Sequence, residues 1–224
     1  PIYYAVQKDI DIRTGGPTLI DFDMQRISQR INIILNIRTE GDIKKEDLLP
    51  PIIELSGACG HFNISEACLD TTRLYRMVHQ AQPDEFTQTG ENTYRCVVHF
   101  HTLGVIPSAA KGHLNGPGIL QVALQVSANR LDASGAPVLD QDGKPVKNSR
   151  YIYGAINPYD ELTAAQLIEV RDGKTYLRYS KDDVNIEITS PLVIKADQIV
   201  SDDTGMGWQP NDPTNPDDDI IIEI

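Results

Sequence analysis

The stretch "DVNIEITSPLVIKAD", residues 183–197, carries one apolar pattern twice: Val184, Ile186 and Ile188 return eight positions later as Leu192, Ile194 and Ala196. In extended chain alternate residues share a face, so these six lie on one side of two short strands, while Asn185, Glu187, Val193 and Lys195 take the other. An aliphatic strand face needs a cover. Within one chain the cover is a sheet or a helix; in a three-chain β-helix it is the same face of two sister chains. An ordinary β-hairpin and a short intertwined stem are the two readings, and the fold turns on that choice.

The surrounding chain reads as α+β, predominantly β. In "TLIDFDMQRISQRINIILNI" (18–37), Ile20, Met24, Ile27, Ile31 and Ile34 follow helical steps of four and three, with Thr18 and Asp21 available to cap. A strand over Ile31, Ile33, Leu35 and Ile37 competes, and helix is the preferred reading. A second helix is expected in "NISEACLDTTRLYRMVHQA" (63–81), which opens with the capping-box spacing of Asn63 and Glu66.

After Pro83 the signals are β. "NTYRCVVHFHTLGV" alternates, and "GILQVALQVSA" sets Leu120, Val122, Leu124, Val126 and Ala128 on one face. Two turn clusters, "DASGAP" and "DQDGKP", are separated only by "VL" and read as a protruding hairpin or loop with polar tips. "IEVRDGKTYLRYS" is strand, type I′ turn at Asp172-Gly173, and strand. "YDELTAAQLIE" reads as a short helix capped by Asp160. The expected organisation is a mixed N-terminal domain over 1–115 with two helices, an antiparallel β-rich domain over 116–200 with the octad repeat, and an acidic tail over 201–224.

The formal charge is −12, and residues 196–224 hold eight acids and no base. Without a basic stripe to neutralise phosphates, nucleic acid is not an expected partner. No run of 18 apolar residues occurs, so no membrane insertion is expected. "PIYYAVQ" has neither the basic nor the apolar region of a signal peptide, so synthesis in the cytoplasm is expected. Cys59, Cys68 and Cys96 have no framework spacing and read as reduced, buried thiols, with a Cys59–Cys68 bridge as the alternative. Pro210, Pro213 and Pro216 block regular structure in the tail. Its end, "IIIEI", is poorly suited to water, so Ile220, Ile221, Ile222 and Ile224 read as a docking strand that adds to a partner's sheet edge.

Chemistry-bearing patterns are sparse. In "HFH" a strand places His99 and His101 on one face, about 7 Å apart, with Cys96 on the other. They are the candidate ligands for iron or zinc, with polar strand histidines as the favoured reading and no cofactor expected. Spacing supplies no third ligand, although Cys59 with His61, or three-fold symmetry, would. "LDQDGK" has part of a calcium loop but lacks the later carboxylate, and "GHLNGPG" lacks phosphate-loop spacing. No G-x-S-x-G or H-E-x-x-H occurs, so no catalytic residue is assigned and the chain reads as a non-enzyme.

The run "YLRYSKDDVNIEITSPLVIKADQIV", 25 residues, resembles the stem repeats of central spike and baseplate proteins in contractile phage tails. That resemblance implies a homotrimeric structural protein of a virion, in contact with other tail or baseplate proteins. Val184, Ile186, Ile188, Leu192, Ile194 and Ala196 would then pack around the trimer axis. Two rival classes are a metal-dependent enzyme using His99 and His101, and a monomeric β-rich binding module with Trp208 and Tyr151 as an aromatic platform.

Overall fold

The structure, a computed structural model, describes residues 2–7, 10, 14–178 and 183–196, and the backbone of 221–223. In chain order the strands are β1 (Tyr3–Tyr4), β2 (Gln25–Arg26), β3 (Gln29–Glu40), β4 (Ile52–Asn63), β5 (Cys68–Gln80), β6 (Phe86–Gly90), β7 (Thr93–Thr102), β8 (Leu120–Asn129) and β9 (Lys147–Ile156). After them come α1 (Tyr159–Ala165), β10 (Ile168–Arg171), β11 (Lys174–Leu177), β12 (Val184–Lys195) and β13 (Ile221–Glu223). A seven-stranded sheet, β10-β11-β5-β4-β8-β9-β13, packs on a four-stranded one, β12-β3-β7-β6.

The two halves of the octad echo form one strand, β12, lying parallel to β3. The pairing shifts between Ile188 and Leu192, so Thr189, Ser190 and Pro191 form a bulge where the apolar alternation pauses. A bulge tolerates Pro191, which has no amide to donate. Four β12 residues step past two on β3 there, an even difference that keeps Leu192 and Ile194 on the same face as Ile186 and Ile188. These four side chains are buried in this chain's own core, with Val184 and Ala196 packed at its margin. The cover is therefore intramolecular: β12 shares one buried cluster with Leu124, Val126 and Ile152, α1 packs against it, and Leu192 Cδ1 lies 3.3 Å from where a Cβ on Gly154 of β9 would stand.

Both expected helices are strands. In β3 the inward set Ile31, Ile33, Leu35, Ile37 alternates with Asn32, Asn36 and Arg38, and the β-branched side chains suit this pleat better than a helix face. The rest of the helical stripe, Ile20 and Met24, lies exposed outside the sheet. In the second case the cap signal is real but closes a hairpin: Asn63 Oδ1 accepts from the amides of Ser65 (3.1 Å) and Glu66 (3.2 Å), and Ala67 at φ 55° turns the chain into β5. Among the described residues the α-helix is α1, whose N-cap is Pro158. Asp160 lies inside it, pairing with Lys111 at 2.6 Å, not capping it.

The β expectations hold. Leu120, Val122, Leu124, Val126 and Ala128 all face the core, and Asp172 and Gly173 both take positive φ between β10 and β11. No boundary between cores falls near residue 115, because β8 joins β4 and β12 joins β3 around one buried cluster.

The link from β8 to β9, expected as a protruding hairpin or loop, contains a tandem repeat: Leu131-Asp132-Ala133-Ser134-Gly135-Ala136-Pro137-Val138, then Leu139-Asp140-Gln141-Asp142-Gly143-Lys144-Pro145-Val146. In each unit the aspartate accepts two backbone amides, from Ser134 and Ala136 and from Asp142 and Lys144. Arg130, Val138 and Val146, eight residues apart, close a ring: Val138 N donates to Arg130 O (2.8 Å), Val146 N to Val138 O (2.8 Å) and Arg130 N to Val146 O (2.7 Å). Removing one unit would leave two of these residues to bond reciprocally as an ordinary antiparallel pair. Deletion of 139–146 is therefore expected to preserve the β8–β9 register and shift Tm by less than about 3 °C, a change under ~1 kcal/mol. Differential scanning calorimetry checks this, and loss of the cooperative transition would refute the ring as a modular unit.

Candidate functional site

Three surfaces are candidates for function, and two of them hold residues singled out by the sequence. The first is the outer face of the four-stranded sheet. His99 and His101 share it, while Cys96, Val98 and Phe100 face the core, as the alternation of β7 requires. His99 Nδ1 lies 2.7 Å from Asn32 Oδ1, and Asn32 Nδ2 donates to Asn185 Oδ1 at 2.7 Å, a polar row across β7, β3 and β12. In the next row Arg30 stands opposite His101 and pairs with Asp183 at 3.4 Å. A guanidinium beside His101 opposes a divalent cation electrostatically. Among the described residues no three His, Cys, Asp or Glu side chains are placed to hold a metal ion.

The thiols do not extend this site. All three cysteines are free and buried. Burial, with a contribution from Glu85, pushes the Cys96 thiol up to about 12, and burial with Asp70 pushes Cys59 up to about 11. Neither is a thiolate nucleophile at neutral pH. Cys59 pairs in register with Leu74 and Cys68 with Asn63, so the sheet keeps the two apart.

The second surface is the free side of β9. This strand pairs with β8 over its whole length, and on its other side Ile221–Glu223 lies parallel to Tyr153–Ala155. Tyr151 and Tyr153 stack on the outer face with centroids 6.2 Å apart. The expected docking strand is thus a strand at a sheet edge of this same chain. Ile220, Ile224 and Trp208 lie outside the described residues.

The third surface was not visible as a site in the sequence. Residues 2–7, 10 and 14–26 belong to an arm whose ends are tied by β1 pairing with β2, by Ile27 N donating to Ile2 O, and by the Tyr4 ring against Phe62. Its apolar side chains stay in solvent: Leu19 is 86% exposed, Phe22 56% and Met24 59%. Beside the arm's root the two sheets splay into a cleft of about 480 Å³, lined by Ala58, Gly60, Tyr75, Met77, Thr102 and Leu103. The Tyr75 ring lies over Gly60, where a Cβ would come within 2.5 Å of it. The signal for this surface was present in "TLIDFDM", but its apolar residues were assigned to a helix face and not to an uncovered segment.

No protein-family model, curated protein or solved structure matches the chain. No helix among the described residues is long and apolar enough to cross a membrane.

Proposed function

We propose that this chain is a structural component of a phage tail or baseplate, of spike, hub or connector type, that acts in the virion by homo-oligomerisation and strand docking and not by catalysis. The observation that carries this reading is the position of Ile221–Glu223 as a parallel strand on the β9 edge. Twenty-four residues, 197–220, separate that strand from Ala196, and they are rich in Asp and Pro. Fully extended, such a tether spans about 80 Å. The strand can therefore reach the same edge on a neighbouring copy, so that each chain completes another's sheet. The likeness of residues 176–200 to spike stems adds the expectation of three copies. In this reading the copies are joined through strand docking, since the aliphatic face of β12 is already covered.

The test is molar mass by light scattering on the full chain and on Ile222→Pro, which removes an amide and the extended geometry from the docking strand. The expected result is three chains of 24.8 kDa for the parent and dissociation of the variant, with Tm changed by less than about 3 °C. A monomeric parent, or a variant whose assembly is unchanged, would overturn strand docking as the means of association.

A further inference from the structure

A second point of contact is written into β5. On one side β5 pairs with β4 along its length; on the other, among the described residues, β11 meets it only at Thr175 opposite Leu69. Beyond the bulge of β5 over Thr71–Arg73, where Thr72 N donates to Asp70 Oδ1 (2.9 Å), Leu74–Gln80 is therefore a seven-residue open edge, "LYRMVHQ", with no Pro, Gly or Lys. Proteins ordinarily blunt such an edge with proline, lysine, a bulge or a covering segment, because its unpaired amides and carbonyls template the addition of another strand.

The same chain carries a segment suited to that edge. Leu19–Met24, "LIDFDM", sets Ile20, Phe22 and Met24 on one face and Asp21 and Asp23 on the other, the pattern of a half-buried strand. Alternation along β5 matches it. Tyr75 and Met77 line the apolar cleft, while Arg76, between them in sequence, takes the opposite face and supplies positive charge on the side of the arm's two carboxylates. Arg76 is held at 3.1 Å by Glu54 on the face away from the cleft. The cleft volume, about 480 Å³, falls within the roughly 300–1,000 Å³ of sites that enclose a small group of apolar side chains. The arm does not fill the cleft of its own chain, since Phe22 and Met24 remain more than half exposed. β1 pairs with β2, and 20 residues lie between Tyr4 and Gln25 in the sequence. Each limb of about ten residues reaches some 33 Å at about 3.3 Å per residue.

We propose that the β5 edge Leu74–Gln80 receives the arm segment Leu19–Met24 of a second copy of this chain as an added strand, with Phe22 and Met24 seated in the cleft beside Tyr75 and Met77. Arm and acceptor are different surfaces of one polypeptide, so the contact is heterologous and closes into a ring when the rotation between copies permits. The inference rests on the reading that copies associate, and it uses a surface separate from the β9 edge.

The experiment places a photo-crosslinking phenylalanine analogue at position 22 of the full chain, in a mixture of isotopically light and heavy protein, and maps cross-linked peptides by mass spectrometry. The expected product joins position 22 to β4 or β5 residues near the cleft, between light and heavy chains. Its yield is expected to fall at least tenfold in Ile20→Asp/Met24→Asp, which changes only solvent-exposed arm residues. The same fall is expected in Gly60→Leu, which fills the cleft and displaces the exposed Tyr75 ring without altering the arm. Assembled protein that gives no such product, or gives it only within one chain, would overturn arm exchange and leave docking at β9 standing. A strictly monomeric sample would overturn both.

Discussion

Ile186→Asp is expected to destabilise the chain equally at every protein concentration, and not to release folded monomers from an assembly. Ile186 is 1% exposed within this chain alone, in the cluster with Ile188, Leu192 and Ile194 and the facing strands β8 and β9. A carboxylate there loses its hydration and meets no cation, and an unpaired buried charge costs about 3–5 kcal/mol after relaxation. That is a large share of the ~5–15 kcal/mol that holds a typical domain together. For a chain of this size the corresponding fall in Tm is about 6–20 °C. The control is Asn185→Asp, one residue away on the outer face. Its side-chain oxygen already accepts from Asn32 Nδ2 at 2.7 Å, and a carboxylate can do the same. That variant is expected to keep its Tm within about 2–4 °C, a change under ~1 kcal/mol. Circular dichroism melts at two concentrations tenfold apart check both. If Ile186→Asp melts like the parent but is smaller in solution, the aliphatic face of β12 belongs to an intermolecular core after all.

The contrast between these neighbours also explains what the sequence made legible. Period-two alternation in β8 and β12 identified inward and outward faces correctly, because which side of a strand is buried is written in its own residues. What covers that side is not, since it depends on contacts with β8 and β9, dozens of residues away. The echo in 183–197 therefore could not distinguish one bulged strand from two strands of a trimeric stem. In β3 and β5 a weak helical period competed with β-branched composition, and tertiary pairing decided it. Asn63 and Glu66 made the local cap their spacing advertised, yet a capped turn serves a hairpin as well as a helix. The arm and the open edge of β5 escaped notice for the converse reason: each is defined by what fails to cover it, and a sequence does not record absent neighbours. The histidines were placed on the correct face, whereas the rows Asn185–Asn32–His99 and Asp183–Arg30–His101 required the register of three strands.

Gly118→Ala is expected to be strongly damaging for a single added methyl, because its Cβ strikes the backbone of Pro107 and Ser108. At the shift in β4 between Leu55 and Ala58, pairing with β8 ends and the segment after β7 takes over. Ile106 N donates to Gly57 O (2.9 Å), Gly118 N to Ser56 O (3.1 Å) and Ser56 N to Ile119 O (3.0 Å). Gly57 and Gly118 both hold positive φ, +83° and +71°. A Cβ on Gly118 would lie 2.6 Å from Ser108 N and 2.7 Å from Pro107 Cα, atoms that cannot swing aside as a side-chain tip can. Left-handed φ alone costs a non-glycine residue about 1–2 kcal/mol, and displacement of the 105–118 segment from β4 adds to this through the strap's hydrogen bonds, each worth roughly 1 kcal/mol. The sum of ~3 kcal/mol or more lowers Tm by about 6–12 °C. Gly135→Ala separates the two causes. Gly135 has a similar φ of +82° but no atom within 4 Å of an added Cβ, so it bears the conformational cost alone. Its Tm is expected to fall by about 2–8 °C. Equal losses in the two variants would mean that the strap yields freely, and that Gly118 is set by turn conformation and not by the close approach of Pro107 and Ser108.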